Sequence, residues 1–575
     1  MNNRKSIHLL ILGALCVTLI NTRMFVQPTL VAFFFFSIIT CVTAITVGAG
    51  LLLKKHTSFS YPVHLALLHA MGVYIALHGL ITHSWNIISN YWLAAILYYT
   101  CVHIIYEKRN TGQEANSILI KGIVWIGFAE GLIVLMQAIR IIPSWSSALI
   151  ATGTWSNPNV TAIYLAISLH FFFYAISLAS KKRALVVMTV VVMIALLLLR
   201  CRTAFLVALS AIGMHYWPAL QHWRSSVKSV LTKVAVSLLV LAAFVFMIAV
   251  FVNMKDGSAS GRMLIYKNSL AMVLNQPWKG SGFGLFEKAY NLYVVEHGFR
   301  SGGYINIAYN DFIEIWAEGG LVALILWSAF LITYSLWAFR RKYSLFPVMA
   351  LVIIQSVNFA FQAAPVFALL LMSMACPLPV NARHKQVSKT SVPGETQFLF
   401  PKNIVILGML LALMIGISQI KVTKALHQLN EITASKGTTY ISKLKQLETT
   451  LNDQTCFHEK FGDAWLAKGN PQKANEEYRK ALETSARPPV LVKYGYSFQV
   501  QNNYDSSLYY YRIAQKIEPF KFITRLIILR MYEQKRDTLN IKAEAEDILN
   551  MPVKIESDRV DHIKQYAQNI LSKIK

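Results

Sequence analysis

Long uninterrupted apolar runs limit the possible fold of this chain more than any other feature. Runs of about 18 or more apolar residues, enough to cross a bilayer core of ~30 Å, recur between Ile7 and Ile420. The 575-residue chain is 55% hydrophobic and only 14% charged, which is far too apolar for a soluble multidomain protein. The sequence therefore predicts an integral membrane protein.

The apolar runs predict about thirteen transmembrane helices, of which the short ones can merge. The first run lacks a small-residue cleavage site, so we interpret it as a span and not as a removed signal peptide. The predicted spans are 7–22, 29–53, 62–82, 90–106, 119–139, 160–179, 184–199, 203–219, 231–252, 312–338, 345–362, 365–380 and 401–420.

Basic residues between the spans predict the orientation of the chain. With a cytoplasmic N-terminus, clusters such as Lys181–Arg183 and Arg340–Lys342 lie inside, while the short outer loops carry little more than Arg23 and Arg140. The loop 253–309 and the tail after residue 420 then lie outside the cytoplasm. Much of the net charge of +27 is accounted for by orientation, so it does not indicate nucleic-acid binding.

The tail after residue 420 is polar and helical, with a period of about 33 residues from Cys456 onward. The matching pairs resemble tetratricopeptide repeats, although an ordinary helical bundle with a chance period is an alternative. The pairs are Gly469 with Asn502, Asn470 with Asn503, Ala474 with Ser507, Tyr478 with Tyr511 and Ala481 with Ala514.

We thus expect an all-α protein with a polytopic membrane domain over 1–422 and a helical repeat domain over 423–575. The repeat domain is expected to bind partners or to self-associate, because nothing in it resembles a catalytic site. The six cysteines are scattered and show neither a disulfide framework nor zinc-ligand spacing, so no metal site is predicted.

Arg200 and Arg202 interrupt an apolar stretch that otherwise runs from 184 to 219. The predicted topology places them at the outer membrane face, against the positive-inside tendency. They are either arginines that snorkel from a helical hairpin, or guanidinium groups directed at a diphosphate.

The outer loop holds a second polar cluster. Ser260 is expected to cap a short amphipathic helix near Arg262, with an apolar face suited to a bilayer surface. The stretch "NQPWKGSGFGLF" follows, with Lys279 and glycines that permit close backbone approach. This glycine pattern is a weak phosphate signal by itself, and no strand precedes it, so the sequence does not predict a dinucleotide site. The excess of basic residues in the loop suits an anionic ligand.

Three acids begin the span that follows the outer loop. Asp311, Glu314 and Glu318 are spaced to share one helical face, which predicts that this face lines a wet, outward-facing cavity. Helix capping is an alternative for Asp311 and Glu314. It does not explain Glu318, nearly two turns deeper.

These elements together resemble the bacterial O-antigen ligase and O-antigen polymerase superfamily. The resemblance covers roughly residues 120–380, with "TGTWSNPNVTAIYLAISL", "RCRTAFLVAL", "GRMLIYKNSLAMVLNQPWKGSGFGLF" and "AYNDFIEIWAEGGLVAL" in the expected order. It implies transfer of a glycan from undecaprenyl diphosphate to an acceptor hydroxyl, at the periplasmic face of the inner membrane. No metal, cofactor or nucleotide sugar is implied. The acceptor is lipid A-core for a ligase, the growing glycan for a polymerase, or protein Ser/Thr for an O-oligosaccharyltransferase.

The resemblance also implies roles for individual residues. Arg202 and Arg262 match the family's arginines and are expected to bind the diphosphate, with Arg200 and Lys279 as neighbours. Asn310 and Glu318 match motif positions and are expected to orient the acceptor or the arginines.

One departure from the family concerns the group that accepts the acceptor's proton. Tyr309 stands where the ligases usually have His, and an ordinary tyrosine, with a pKa near ~10, is a poor base at neutral pH. Glu314, Glu296 or His297 is then expected to take the proton, unless this branch depends less on a base, as polymerase-like members suggest. His297 is alternatively an exposed loop residue.

Asn157 and Asn159 match the family's Asn-Pro-Asn element at an outer helix start, and helix capping is again the alternative.

A ligase is the first functional expectation, a polymerase the second and a protein glycosylase the third. Two other classes are a polysaccharide transporter or flippase and a non-catalytic membrane scaffold. A transporter is disfavoured because the polar groups cluster at the outer ends of the spans and no internal repeat relates the spans.

Overall fold

The computed structural model describes residues 3–19, 28–53, 58–107, 112–145, 149–226, 258–380, 397–399, 402–435, 440–553 and 556–574. These residues form two compact units. The first, the membrane unit, combines Met1–Ala259 with Tyr309–Thr423, and the second, the loop–tail unit, combines Ser260–Ala308 with Lys424–Lys575. Each unit is therefore built from two separate stretches of chain.

The described residues are almost entirely helical, so the all-α prediction is confirmed. The membrane unit holds α1 (Asn3–Thr18), α2 (Pro28–Leu52), α3 (Val63–Ile81), α4 (Ile87–Glu107), α5 (Gly112–Ala138), α6 (Pro158–Leu178), α7 (Arg183–Leu199), α8 (Arg202–Ser226), α11 (Asp311–Arg340), α12 (Phe346–Val357), α13 (Ala364–Ala375) and most of α14 (Lys402–Ser435). It also contains a short antiparallel pair, β1 (Ser58–Ser60) with β2 (Gln397–Leu399).

Seven of the described helices are long and apolar enough to cross a membrane, namely α2 to α6, α11 and α14. Three shorter apolar helices, α7, α12 and α13, occur at predicted spans. These findings support a multi-pass membrane protein. The predicted span 231–252 lies outside the described residues, and the count of thirteen stays a prediction.

The loop–tail unit combines the outer loop with the tail. Residues 260–308 group with the residues after Thr423 and not with the membrane helices. The division into a membrane domain over 1–422 and a repeat domain over 423–575 stays a prediction. This unit contains α9 (Ser258–Asn275), α10 (Phe286–Glu296), α15 (Tyr440–Leu451), α16 (Thr455–Ala467), α17 (Pro471–Thr484), α18 (Pro488–Val500), α19 (Tyr504–Ile517), α20 (Phe522–Lys535), α21 (Thr538–Asn550) and α22 (Asp558–Ile574).

The tail repeats one turn at intervals of 33 and 34 residues. Gly469, Asn502 and Arg536 all adopt left-handed backbone conformations, with φ of 74°, 58° and 55°. The residue after each, namely Asn470, Asn503 or Asp537, caps the next helix through its side chain. The first two turns join α16 to α17 and α18 to α19, and the third joins α20 to α21.

Close helix packing also repeats in the tail. A Cβ at Gly462 would lie 2.6 Å from the Tyr478 ring, and one at Gly495 would lie 2.7 Å from the Tyr511 ring. Glycine is therefore required where each tyrosine crosses the preceding helix. These contacts support a helical repeat, while the tetratricopeptide class itself stays a prediction.

Candidate functional site

The start of α11 is fixed by its capping residue. Asn310 accepts a hydrogen bond from the Ile313 N–H through Oδ1 at 3.1 Å, which satisfies one unpaired donor of the first helical turn. Its Nδ2 donates to the Ser356 carbonyl at 3.1 Å, near the end of α12. Asn310 thus joins two helices of the membrane unit, and capping accounts for its position.

Asp311 is completely buried and does not cap its own helix. Its Oδ2 accepts the backbone N–H groups of Ala360 and Phe361, at 2.8 and 3.4 Å. These two residues lie in the turn 358–363 between α12 and α13. The carboxylate therefore satisfies donors that no helix can satisfy, deep inside an apolar unit. These contacts support a positioning role for Asp311, and a contact with substrate stays a prediction.

Glu314 reaches the same turn one helical turn later. Its Oε1 accepts a hydrogen bond from Gln362 Nε2 at 2.7 Å, and the side chain is buried. Asn358, at the start of the turn, donates to Thr203 Oγ1 at 3.4 Å. Thr203 directly follows Arg202, so the turn 358–363 brings Arg202's helix to the acids of α11.

Arg200 and Arg202 lie at the short junction between α7, which ends at Leu199, and α8. Arg200 ends α7 in a left-handed conformation, with φ of 47°, and its side chain is exposed. Arg202 begins α8 and is half-buried. A cation at a helix N-terminus adds to the positive end of the helix dipole, so capping does not explain Arg202. The charge of Arg202 and the positive end of the helix dipole together favour the binding of an anion at the start of α8.

Tyr309 precedes the cap and is also in a left-handed conformation, with φ of 54°. This conformation costs an L-residue about 1–2 kcal/mol. The half-buried ring lies edge-on to Phe359 of the turn 358–363, with centroids 6.0 Å apart. The described contacts thus direct this side chain toward the same turn.

Glu318 lies beside a break in α11. Gly320 has φ of 70° and ψ of −178°, a combination essentially restricted to glycine. Tyr74 of α3 donates its hydroxyl hydrogen to the Gly319 carbonyl at 2.5 Å, which satisfies an acceptor at the break. Glu318 is buried at this level. The three acids therefore occupy a short helical segment ahead of the longer apolar part of α11.

Asn157 caps α6 as the capping alternative proposed, because its Oδ1 accepts the Asn159 N–H at 3.0 Å. No described contact gives Asn159's side chain a role. The segment that precedes α6 is held by two polar residues of α5. Glu130 accepts the Thr154 N–H at 2.7 Å, and Gln137 accepts the Thr152 and Gly153 N–H groups at 2.9 and 2.8 Å.

Glu130 and Gln137 were not among the residues predicted for the site. Both are buried in a helix that is otherwise apolar enough to span a membrane. An acid in such a helix is a signal of a structural or functional constraint. That signal was therefore present in the sequence.

Arg262, Lys279 and His297 belong to the loop–tail unit. Arg262 is half-buried on α9, which begins at Ser258, two residues before the expected cap Ser260. Lys279 is exposed, and the glycines after it, 280, 282 and 284, all have positive φ. These three glycines therefore adopt the backbone that the sequence pattern indicated.

His297 follows the end of α10 and is exposed. Its ring stacks on Tyr293 with centroids 4.1 Å apart, and its Nδ1 lies 3.1 Å from the Tyr293 carbonyl. These contacts are local and favour the exposed-residue interpretation over a catalytic base.

On α9, the apolar residues Met263, Leu270 and Leu274 are exposed, while Ile265 and Val273 are buried. Bilayer contact through the exposed face stays a prediction.

Comparison with known families gives one match. Residues 187–328 match the family model described as O-antigen ligase. The matched segment runs from α7 into α11 and includes both arginines of the α7–α8 junction, Arg262, and the acids of α11. The Asn-Pro-Asn element lies before it. No curated protein matches the chain.

Proposed function

We propose that the chain transfers a glycan from undecaprenyl diphosphate to an acceptor hydroxyl, because residues 187–328 match the family model described as O-antigen ligase. The family match supports a membrane glycosyltransferase of the ligase or polymerase type. The reaction is proposed to occur at the periplasmic face of a bacterial inner membrane, with the N-terminus in the cytoplasm and without a metal or nucleotide sugar.

The observation that carries this proposal is the cluster around the turn 358–363. Thr203, Asp311 and Glu314 are joined to this turn through hydrogen bonds of 2.7–3.4 Å. Asn310 bonds the Ser356 carbonyl, two residues before the turn. Transfer from a diphosphate donor requires positive charge at the leaving group and an acceptor for the proton of the attacking hydroxyl. The cluster contains the acids, and Arg202 directly precedes Thr203, which is bonded to it.

We assign the diphosphate to Arg202 and Arg262, with Arg200 and Lys279 as secondary contacts. An arginine presents a rigid fork of donors that matches phosphate oxygens and stays charged at any physiological pH. Arg202 is supported by its place at the helix N-terminus. The role of Arg262, which lies in the other unit, rests on its motif.

We assign the acceptor hydroxyl to Glu314. Asp311 already accepts two backbone donors of the turn, and Glu318 lies deeper, next to the break in α11. Glu314 also lies at the turn 358–363, where its Oε1 accepts a hydrogen bond from Gln362, and we assign its carboxylate to receive the proton. Tyr309 is proposed to orient the hydroxyl and not to remove its proton.

A ligase that uses lipid A-core as acceptor is the first proposal. A repeat-unit polymerase is the second, and the observation that favours it is Tyr309 at the position where ligases usually have His. A protein O-oligosaccharyltransferase, a polysaccharide transporter and a non-catalytic scaffold are further outcomes that the experiment separates.

The test is a gel profile of surface glycans from a deletion strain that expresses Arg202→Ala, Glu314→Gln or Tyr309→Phe. We expect Arg202→Ala and Glu314→Gln to abolish transfer at wild-type protein levels, because each removes one required charge. Arg183→Ala is the matched control, since this exposed arginine begins α7 at its opposite end.

The phenotype identifies the reaction. Long lipid-linked chains without attached polymer indicate a ligase, and single repeats attached to the acceptor indicate a polymerase. Loss of glycoprotein with normal lipopolysaccharide indicates a protein glycosylase, and donor retained on the cytoplasmic side indicates a transporter. A wild-type profile for both Arg202→Ala and Glu314→Gln would refute the catalytic assignments.

A further inference from the structure

The outer loop docks on the repeat helices of its own unit through hydrogen bonds to their backbone. Lys288 Nζ donates to the Glu483 carbonyl at 2.7 Å, and Ser301 Oγ donates to the Ile517 carbonyl at 2.6 Å. These carbonyls lie at the C-terminal ends of α17 and α19, where helices leave acceptors without intrahelical donors. The loop therefore supplies side-chain caps to two repeat helices.

Glu287 makes the reciprocal contact from the first turn of α10. Its Oε1 accepts the Ala486 N–H at 3.0 Å, and it also hydrogen-bonds the side chains of Ser485 and Tyr304. Burial raises the pKa of Glu287, and these hydrogen bonds together with the charge of Arg487 partly oppose the rise. The carboxyl group is thus part of the interface rather than a solvated surface charge.

An apolar contact runs alongside these polar ones. Leu292, Val295 and Tyr304 of the loop pack against a buried cluster of the repeat helices. The cluster consists of Ala486, Leu491, Ala514 and Ile517. It draws on α18, α19 and the turn before α18, so the contact covers the junction between two repeated hairpins.

Within the loop, three segments are tied together. Asn268 of α9 donates to the Arg300 carbonyl at 3.1 Å and to the Tyr290 hydroxyl at 3.2 Å. Asn291 of α10 donates to the Ile305 carbonyl at 2.6 Å and accepts the Ile305 N–H at 3.2 Å. Contacts thus run from the repeat helices through α10 to α9, which carries Arg262, and to the segment that continues to Tyr309.

We propose that the repeat helices are a positioning element of the transferase, holding the outer loop in the geometry that presents Arg262 to the donor diphosphate. This inference rests on the proposed function. The physical reason is length, because an isolated helix shorter than about 12–15 residues is marginal in water, and α10 has 11. Without the repeat surface, α10 and the segments tied to it lose their main packing partner.

The test uses the full-length chain with Glu287→Ala and Leu292→Asp. We expect both variants to raise hydrogen exchange in the peptides covering 262–275, by about fivefold or more for loss of one buried hydrogen bond. With lipid-linked glycan extracted from the native strain, we expect a higher KM for the donor. Exchange in the membrane unit should stay unchanged.

Two comparisons make the test specific. Glu287→Gln keeps an amide oxygen that can accept the Ala486 N–H, so it should restore exchange and donor KM toward wild type. Asp505→Ala removes an exposed acid from the other end of α19 and should behave as wild type. A merely structural role would lower the amount of folded protein without a change in donor KM.

If both Glu287→Ala and Leu292→Asp keep the donor KM and the loop exchange of the wild type, the positioning role is overturned. The proposed function still stands in that case, provided that the wild-type protein is active. Conversely, a wild-type protein without transferase activity would refute the proposed function. Increased loop exchange in the variants would then show docking alone, and the catalytic part of this inference would fall with the proposed function.

Discussion

Replacing Asp311 by alanine removes the acceptor of two buried backbone donors. The Ala360 and Phe361 N–H groups, 2.8 and 3.4 Å from Oδ2, would have no acceptor in an apolar surrounding. A buried donor left without an acceptor costs about 1–3 kcal/mol, and the longer bond contributes the smaller share. We therefore expect Asp311→Ala to destabilise the membrane unit by about 2–5 kcal/mol. Asp311→Asn keeps one acceptor oxygen and should cost about 1 kcal/mol.

The assay is thermal unfolding of the purified protein in detergent, followed by size-exclusion chromatography. At roughly 2 °C per kcal/mol for a large domain, Asp311→Ala should lower the melting temperature by about 4–10 °C. Asp505→Ala is the matched control, because its side chain is 95% exposed and an exposed ion pair contributes little. A melting temperature for Asp311→Ala within about 1 °C of wild type would refute this account of the buried carboxylate.

Gly153→Ala should destabilise the chain by roughly 2–5 kcal/mol, because the residue has φ of 71° and the new Cβ would lie 2.5 Å from Thr161 Cγ2 and closer still to Glu130 Oε1. Gly213→Ala, where a Cβ meets nothing within 4 Å, should leave the melting temperature unchanged or slightly higher, and equal values for the two variants would contradict the steric argument. In the tail, burial raises the pKa of Glu477, but hydrogen bonds from His458 and Lys480 outweigh it and hold the pKa below its ordinary value. A lowered pKa stabilises the fold at pH values above the ordinary pKa of 4.5, and this stability is lost as pH falls through the folded pKa. The protection of α16 and α17 against hydrogen exchange should therefore fall as the pH is lowered from 6 to 3, and it should fall further in wild type than in Glu477→Gln. Identical pH profiles of protection would count against the ion pair.

Where local sequence determines structure, the predicted helices match the observed ones. The run 160–179 corresponds to α6 at Pro158–Leu178, since Asn157 and Pro158 form a strong helix start. The repeated turns at 469–470 and 502–503 were likewise visible as matching residues. Such features depend on neighbours within a few positions, and hydropathy and capping patterns report those directly.

Features that depend on distant residues were not predicted. The break at Gly320 lies inside a single predicted span, and the Tyr74 hydroxyl that bonds the Gly319 carbonyl there is 245 residues away in sequence. The pairing of Ser58–Ser60 with Gln397–Leu399 involves three residues on each side, too few for a periodic signal.

For the site, the residue types were predictable but their partners were not. The acids at 311, 314 and 318 stand out because a membrane helix rarely begins with three of them. The sequence could not show that Asp311 bonds backbone 49 and 50 residues ahead, which separates it from Glu314 in role. The loop's attachment to the tail was missed for the same reason.

The discontinuous loop–tail unit sets the timing of maturation during synthesis. Glu287 is separated from Ala486 by 199 residues, and Ser301 from Ile517 by 216. At about 5–20 residues per second, the ribosome needs roughly 10–40 s to supply the partner after the loop is made. During that interval Leu292 and Val295 have no surface to cover them. Only a chain translated past Ile517 can complete the loop's docking surface, so chains that terminate before this residue would lack this support.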